Sequence, residues 1–401
     1  MAGPMAVLQQ SPTESDFVQN PYPFYESARQ RGKIVYWQDY GMPCALSHAA
    51  VSQILRDRRF GREPVVPQPS PPHMAAFRRL DDNAMIEIDG RRHDWLRGMV
   101  LRGFTPARVR GLQPEIARIA RDLLRGLSAQ GTAETLDLVP AFTSRLPLLV
   151  VGRLLGLPDE RGEELVAWST AMVAIYQSGR DRAVEARAEA AAAAFSGMIR
   201  DTIALRRNAP GDDLISELLG VTDDAGQGLS DDELVANAVL VFNAAREATV
   251  HAMGNAVRTL LKHPVPPEAL APDRIAATVE ECLRFDPPLH LFVRHLHEDA
   301  EVLGHRLSRG ARIACLLAAA NRDPAFWDDP DTFDPTRLPR THLTFGAGAH
   351  FCLGAPLARL ELQTALPILF AHWPGLRLAG TPRHADIFHF HGLESLPVAV
   401  R

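Results

Sequence analysis

No run of this sequence approaches the ~18 consecutive apolar residues of a membrane span, so no membrane association is expected. Cysteine is scarce, with four in 401 residues (Cys44, Cys282, Cys315 and Cys352). That excludes a disulfide framework and fits a reducing, cytoplasmic setting. No period runs along the chain, which excludes collagen-like and coiled-coil repeats. An excess of one charge is also lacking: 43 Lys and Arg stand against 48 Asp and Glu, a net of −5, so nothing drives the chain towards nucleic acid. Met1 to Phe17 lacks a basic stretch followed by an apolar core and does not read as a secretory signal. What is present, 46% hydrophobic and 23% charged residues, is the composition of a globular protein.

The pattern along the chain is mainly α with a smaller β-rich region. Helices are expected at Pro21–Arg31 and Ser47–Asp57, with β-prone pieces between Lys33 and Leu46. The proline-rich stretch Arg62–Pro72 has to be loop, because proline removes donors and fixes φ. From Arg91 to about Arg206 the pattern is helical, with starts at Thr105–Pro106 and at Pro158–Asp159–Glu160. Ser230–Asp231–Asp232–Glu233 is a capping box, and the helix it opens meets no breaker but Gly254 before His263–Pro264. Its middle, Leu234–Phe242, is apolar on nearly every side, so the helix is expected to be buried in one large helical body. Residues 1–401 are therefore read as one domain, with 1–20 loosely ordered. Glu301–Ile313 roughly alternates and reads as a hairpin turning at Ser308–Gly310; Leu353–His372 is a helix with Pro367 inside it; Ile387–Val400 is β-rich.

The strongest chemical signal is Phe345–Gly–Ala–Gly348–Ala–His350–Phe–Cys352–Leu–Gly354. Glycines allow positive φ and close backbone approach, and a cysteine at a helix N-terminus is favoured as thiolate. A thiolate ligand to haem iron needs that environment. The bland alternative is a glycine-rich turn around a buried thiol.

On this pattern the sequence resembles the cytochromes P450 of the soluble bacterial type, along nearly its whole length. The resemblance implies the fold of that family: a large helical body, a smaller β-rich region and a long central helix over the haem. It implies haem b, with Cys352 as iron ligand and with Phe345, Gly348, His350 and Gly354 matching the loop around it. Glu281–Cys–Leu–Arg284 matches the family's E-x-x-R pair, which Arg337 joins in a structural role. His93–Asp–Trp–Leu–Arg97 matches a pair that grips one haem propionate, and Arg294 the residue at the other. On the long helix, Ala244–Ala245–Arg246–Glu247–Ala248–Thr249 aligns with the segment over the haem. Ala244 would leave room for the cofactor and O2. The acid is matched at Glu247, but the usual alcohol is replaced by Ala248, with a hydroxyl one step later at Thr249, about 100° around the helix. Ala244, Ala248, Leu289, Phe292, Leu393 and Met172, with Ile175, are the substrate-pocket positions by resemblance, Leu393 lying in a turn that enters the pocket.

The implied activity is a monooxygenase that uses O2 and two electrons to oxidise a small, mainly apolar organic substrate. No flavin, nicotinamide or iron–sulfur motif occurs, so the electrons are expected from a ferredoxin and its reductase, which dock on exposed cations such as Arg102 and Arg359. A monomer is expected. Two alternatives stay open: peroxide-driven oxidation on the same haem, and haem binding without turnover. His389 and His391 alternate as on a strand, but no acidic or cysteine partner clusters beside them in the sequence, so a metal site is not expected there.

Overall fold

The computed structural model describes residues 5–67, 71–129, 131, 134–176 and 180–400. These fall into two compact units: 1–66, 116–144 and 248–401 form the first, and 67–115 with 145–247 form the second.

The first unit is built on a six-stranded sheet in the order Val7–Leu8, Ile34–Trp37, Met42–Ala45, Arg312–Leu316, Leu291–Leu296, Phe60–Gly61. Ile34–Trp37, a run of β-branched and aromatic residues, pairs antiparallel with Met42–Ala45, and Gly41 (φ 60°) turns the chain between them. Helix His48–Arg56 follows, capped by the Ser47 hydroxyl, which accepts from the Ala50 amide. It packs into a buried apolar cluster with Ile34, Phe60, Leu296, Ile313 and Leu343.

Helix Ile275–Phe285 carries the central polar anchor of this unit. Glu281 and Arg284 lie three residues apart, hence on one helix face, and both are buried. The guanidinium meets the carboxylate in two bonds of 2.7 Å. Its remaining N–H groups donate to the carbonyls of Asn321, Pro330 and Thr332. The carboxylate also accepts from the Asp334 amide at 2.9 Å and lies 3.5 Å from Arg337 Nε. The irregular stretch 323–340 is thus held by side chains rather than by a ladder.

The second unit is helical. Asp181 caps Arg182–Asn208 through the Val184 amide (2.8 Å), and the buried face of that helix, Ala188, Ala191, Ala192, Phe195, Ile199 and Ile203, repeats at three to four residues. The capping box forms as expected: the Ser230 hydroxyl accepts from the Glu233 amide, and Glu233 accepts from the Ser230 amide. The helix it opens, Asp231–Lys262, is 32 residues long and runs through Gly254 unbroken. Asn237, fully buried, accepts from the Met85 amide and donates to the carbonyls of Asn83 and Glu233. It pins residues 83–85 to this helix.

Three expectations are corrected. Residues 5–20 are not loose: Val7–Leu8 joins the sheet in parallel with Tyr36–Trp37, and Ser15–Gln19 is a helix that buries Phe17 against Trp37 and Phe388. The hairpin is shorter than read. Ala300–Val302 pairs with His305–Leu307 and turns at Leu303–Gly304 (φ 48° and 86°), while Ser308–Gly310 only leads into Arg312–Leu316, which pairs with Leu291–Leu296. Alternation continued across two strands that belong to different sheets. In Arg62–Pro72, Pro72 already opens a 3-10 turn over Pro72–Met74; residues 68–70 lie outside the described ones.

Arg284→Met is expected to destabilise the protein by about 3–5 kcal/mol, because it leaves a carboxylate buried without its main partner. A shift of the urea unfolding midpoint checks this.

Candidate functional site

The glycine-rich loop lies in the first unit, between buried Leu343–Thr344 and helix Ala355–His372. Gly346 and Gly348 take φ of 69° and 72°, in the left-handed region that favours glycine. A Cβ on Gly348 would also overlap the Leu55 carbonyl, so the loop is pressed against the C-terminal end of helix His48–Arg56. After the 3-10 turn Gly348–His350, the Cys352 amide donates back to the Phe345 carbonyl at 2.9 Å. Gly354 then caps the helix without adding a side chain beside the sulfur, which lies 3.9 Å from where its Cβ would stand. Cys352 is exposed, whereas Cys44, Cys282 and Cys315 are buried. Burial pushes the thiols of Cys44 and Cys282 well above the usual range and that of Cys315 to about 12. Of the four thiols, only Cys352 combines exposure with a helix N-terminus, where a thiolate is stabilised.

Side chains that the motif reading missed hold this loop. Buried Asn321 donates to the Thr344 hydroxyl (2.8 Å) and accepts from the Leu343 amide (2.7 Å); the Thr344 hydroxyl donates to the Leu283 carbonyl (2.7 Å). Glu280 receives two bonds from Arg359 (2.6 and 2.8 Å) and lies 3.2 Å from His342. Burial works against its charge, yet Arg359 and His342 hold the carboxyl down at about 2. Arg359 also stacks over the Phe345 ring at 4.4 Å. Its head is therefore engaged inside the scaffold, which corrects its expected place as a free docking cation. Arg102 is exposed but already donates to the Thr222 carbonyl and Asp224.

Also in the first unit, Arg294 is buried on strand Leu291–Leu296, with its guanidinium 5.7 Å from the Phe292 ring. Phe292 in turn lies 3.2 Å from a Cβ position on Gly346. Leu289 bridges to Phe390, and Leu393 packs on Gly254. Ala248 is half-buried and Thr249 buried, so the two successive positions face differently. In the second unit, His93 is buried and Arg97 half-buried on helix Gly90–Gly103; His93 Nδ1 lies 3.2 Å from Asp94. Met172 and Ile175 are buried at the end of helix Gly162–Val173 and just after it. On the long helix Ala244 is exposed between buried Phe242 and Arg246, and Arg246 pairs with Glu247 at 2.6 Å.

These residues fit a thiolate-ligated haem: a thiol freed from burial, a loop that brings backbone close to it, and the buried cation Arg294 on the strand that touches the loop.

An acidic side chain does approach His391 in space, contrary to the sequence reading. Asp286, His290 and His391 place ligand-type atoms within 4.8 Å of one another, all buried, and the His384 ring stacks on His391 at 3.8 Å. The acidic partner comes from a segment about a hundred residues away, which sequence spacing could not reveal. The carboxylate is already engaged by the Tyr22 hydroxyl (2.6 Å) and Arg258 (3.1 Å). With Arg258 balancing its charge, a buried divalent ion would have no compensating anion, so electrostatics disfavours a metal here.

Comparison with known proteins agrees with the geometry. The family model described as Cytochrome P450 matches residues 275–374. The chain is 32% identical to a biotin biosynthesis cytochrome P450 of Bacillus subtilis (strain 168), over 98% of this chain and 99% of that one. It is 38% identical to an erythromycin C-12 hydroxylase of Saccharopolyspora erythraea (86% and 85% covered). The solved structure of P450BioI, in complex with an acyl carrier protein ligated to hexadec-9-enoic acid, superposes with a TM-score of 0.90 at 32% identity, covering 96% of this chain and all of that one.

The buried histidines generate a prediction. Burial drives His290 and His391 well below the usual imidazole range and His384 to about 4, with neighbouring histidines and Arg258 adding to the effect on His391. All three are neutral in the fold at pH 7. Below about 6.5 the unfolded chain takes up protons that the fold refuses, so stability falls as pH drops from there towards 4, by up to ~1.4 kcal/mol per pH unit for each histidine. Thermal unfolding of the holoenzyme between pH 7.5 and 5 checks the direction, and His384→Gln should flatten the slope.

Haem-thiolate chemistry, the cysteine loop and near-complete coverage by its relatives converge, and the chain belongs to the cytochrome P450 family of monooxygenases, whose cofactor is a cysteine-ligated haem b.

Proposed function

We propose that the whole chain, residues 1–401, works as an O2-dependent monooxygenase in which the Cys352 thiolate would hold the haem iron. The observation that carries this is the placement of Cys352: an exposed thiol at a helix N-terminus, behind two left-handed glycines. His93, Arg97, Arg294 and His350 would hold the haem propionates by charge-assisted hydrogen bonds. Phe345, Gly348 and Gly354 shape the loop that would carry the thiolate to the haem, and the small side chain of Ala244 would leave room for cofactor and O2. Once bound, the thiolate-ligated haem supplies O–O cleavage and insertion of one oxygen atom into an unactivated bond.

The chain's own part is to bind, orient and deliver protons. Ala244, Ala248, Leu289, Phe292, Leu393 and Met172 are the substrate positions that the family resemblance assigns, and all are apolar, which suits a small organic molecule. Glu247 is the acid of the proton path. Ala248 offers no hydroxyl, and Thr249 is turned by about 100° and buried, so it does not stand in for one. The path is then completed by water or by a polar group of the substrate. Electrons come from a ferredoxin and its reductase in a cytoplasmic setting; among the described residues no helix is long and apolar enough to cross a membrane. Ala248 also favours a second reading, oxidation driven by peroxide without an electron donor.

Cys352→Ser is expected to abolish the thiolate-haem carbonyl band of the reduced protein; a band that survived would remove Cys352 from the iron. Ala248→Thr is expected to raise the coupling of reductant to product for substrates lacking a polar group, and to change it little for the native one. Comparing peroxide release with product formation checks this. Turnover with hydrogen peroxide alone that matches turnover with ferredoxin and reductase would select the second reading.

A further inference from the structure

We infer that Asn243 is a specificity-determining residue that hydrogen-bonds a hydroxyl group of the substrate, so that the substrate class is an apolar molecule bearing an alcohol. This rests on the monooxygenase reading above and narrows it.

Asn243 stands in a stretch of the long helix made of Val, Leu, Phe and Ala, one position before the exposed Ala244. Its amide oxygen is buried and has no hydrogen-bond partner among the described residues. Its amide nitrogen faces Met172 Sδ at 3.8 Å, a weak acceptor on another element of the same unit. The same helix shows the contrast. Six positions earlier Asn237 has three partners and a plain structural role. An amide left unmatched in an apolar wall is destabilising, and a leucine of similar shape would avoid that cost. The amide has a use if a bound molecule completes it.

The chemistry of the missing partner follows from the two open functions. A hydroxyl donates and accepts, so it serves the amide oxygen or the amide nitrogen whichever way the group is rotated. A ketone serves only the nitrogen. A carboxylate also serves only the nitrogen, and it would sit one helical turn from the carboxylate of Glu247, which shares this helix face with Asn243.

The test is a spin-state titration of the holoenzyme with cyclooctanol, cyclooctanone and cyclooctane, for the wild type and Asn243→Leu. Cyclooctanol should bind about five- to tenfold more weakly to the variant, cyclooctane equally or more tightly, and cyclooctanone in between. Equal changes for all three ligands, or no response of the wild type to cyclooctanol, would overturn the inference. Asn243→Ser, which keeps a donor and an acceptor, should retain part of the preference and serves if the leucine variant fails to load haem. Loss of the thiolate-haem carbonyl band in the wild type would defeat the monooxygenase reading itself. A normal band with ligand-independent effects defeats only the role of Asn243.

Discussion

The buried pair of Glu281 and Arg284 is the constraint on which the cysteine loop depends. Two charges removed from water are tolerable only if every lone pair and N–H is used, and here they are shared among three backbone carbonyls, a backbone amide and Arg337. The pair therefore shapes the irregular stretch 323–340, which has no sheet or helix to define it. The preceding residue of the same helix, Glu280, reaches Arg359 beyond the cysteine, and the Leu283 carbonyl takes the Thr344 hydroxyl before it. One eleven-residue helix thus grips the chain on both sides of Cys352.

Much of this was legible because the signals are local. A capping box, a proline at a helix start and a cysteine among glycines act within four or five residues, and each appears where expected. The E-x-x-R spacing foretold a shared face, though not that the face would be buried. What stayed hidden depends on residues far apart in sequence. Asn321 and Thr344 are ordinary polar residues until their neighbours are known. Arg359 looked like a surface cation because nothing local shows that Glu280 stands opposite. Asp286 and His391 are about a hundred residues apart. The N-terminal strand is two residues long and takes its order from Ile34–Trp37, not from its own composition.

Fold and chemistry separate along the long helix. Its cap and its buried positions form as its own sequence dictates, while Ala248 stands where the family resemblance calls for an alcohol. Packing constrains the first set, because a change of volume there is felt throughout a close-packed interior. The second set borders bound molecules and varies with what is bound. The departure at Ala248 falls in that second set and leaves the packing of the scaffold untouched.

The contact of Gly348 with the Leu55 carbonyl has a consequence for assembly. Its two sides are roughly 290 residues apart, a separation that slows folding. Helix His48–Arg56 leaves the ribosome early and has to wait, while other ties of it, the His48 amide to Asp323 and the Gln53 side-chain amide to the Glu301 carbonyl, are also made late. The cysteine loop can therefore reach its final shape only near the end of synthesis, against a surface made at the beginning. The order of events would place cofactor capture after translation, and a truncated chain that keeps Cys352 but lacks residues 47–56 would carry the ligand without the cradle.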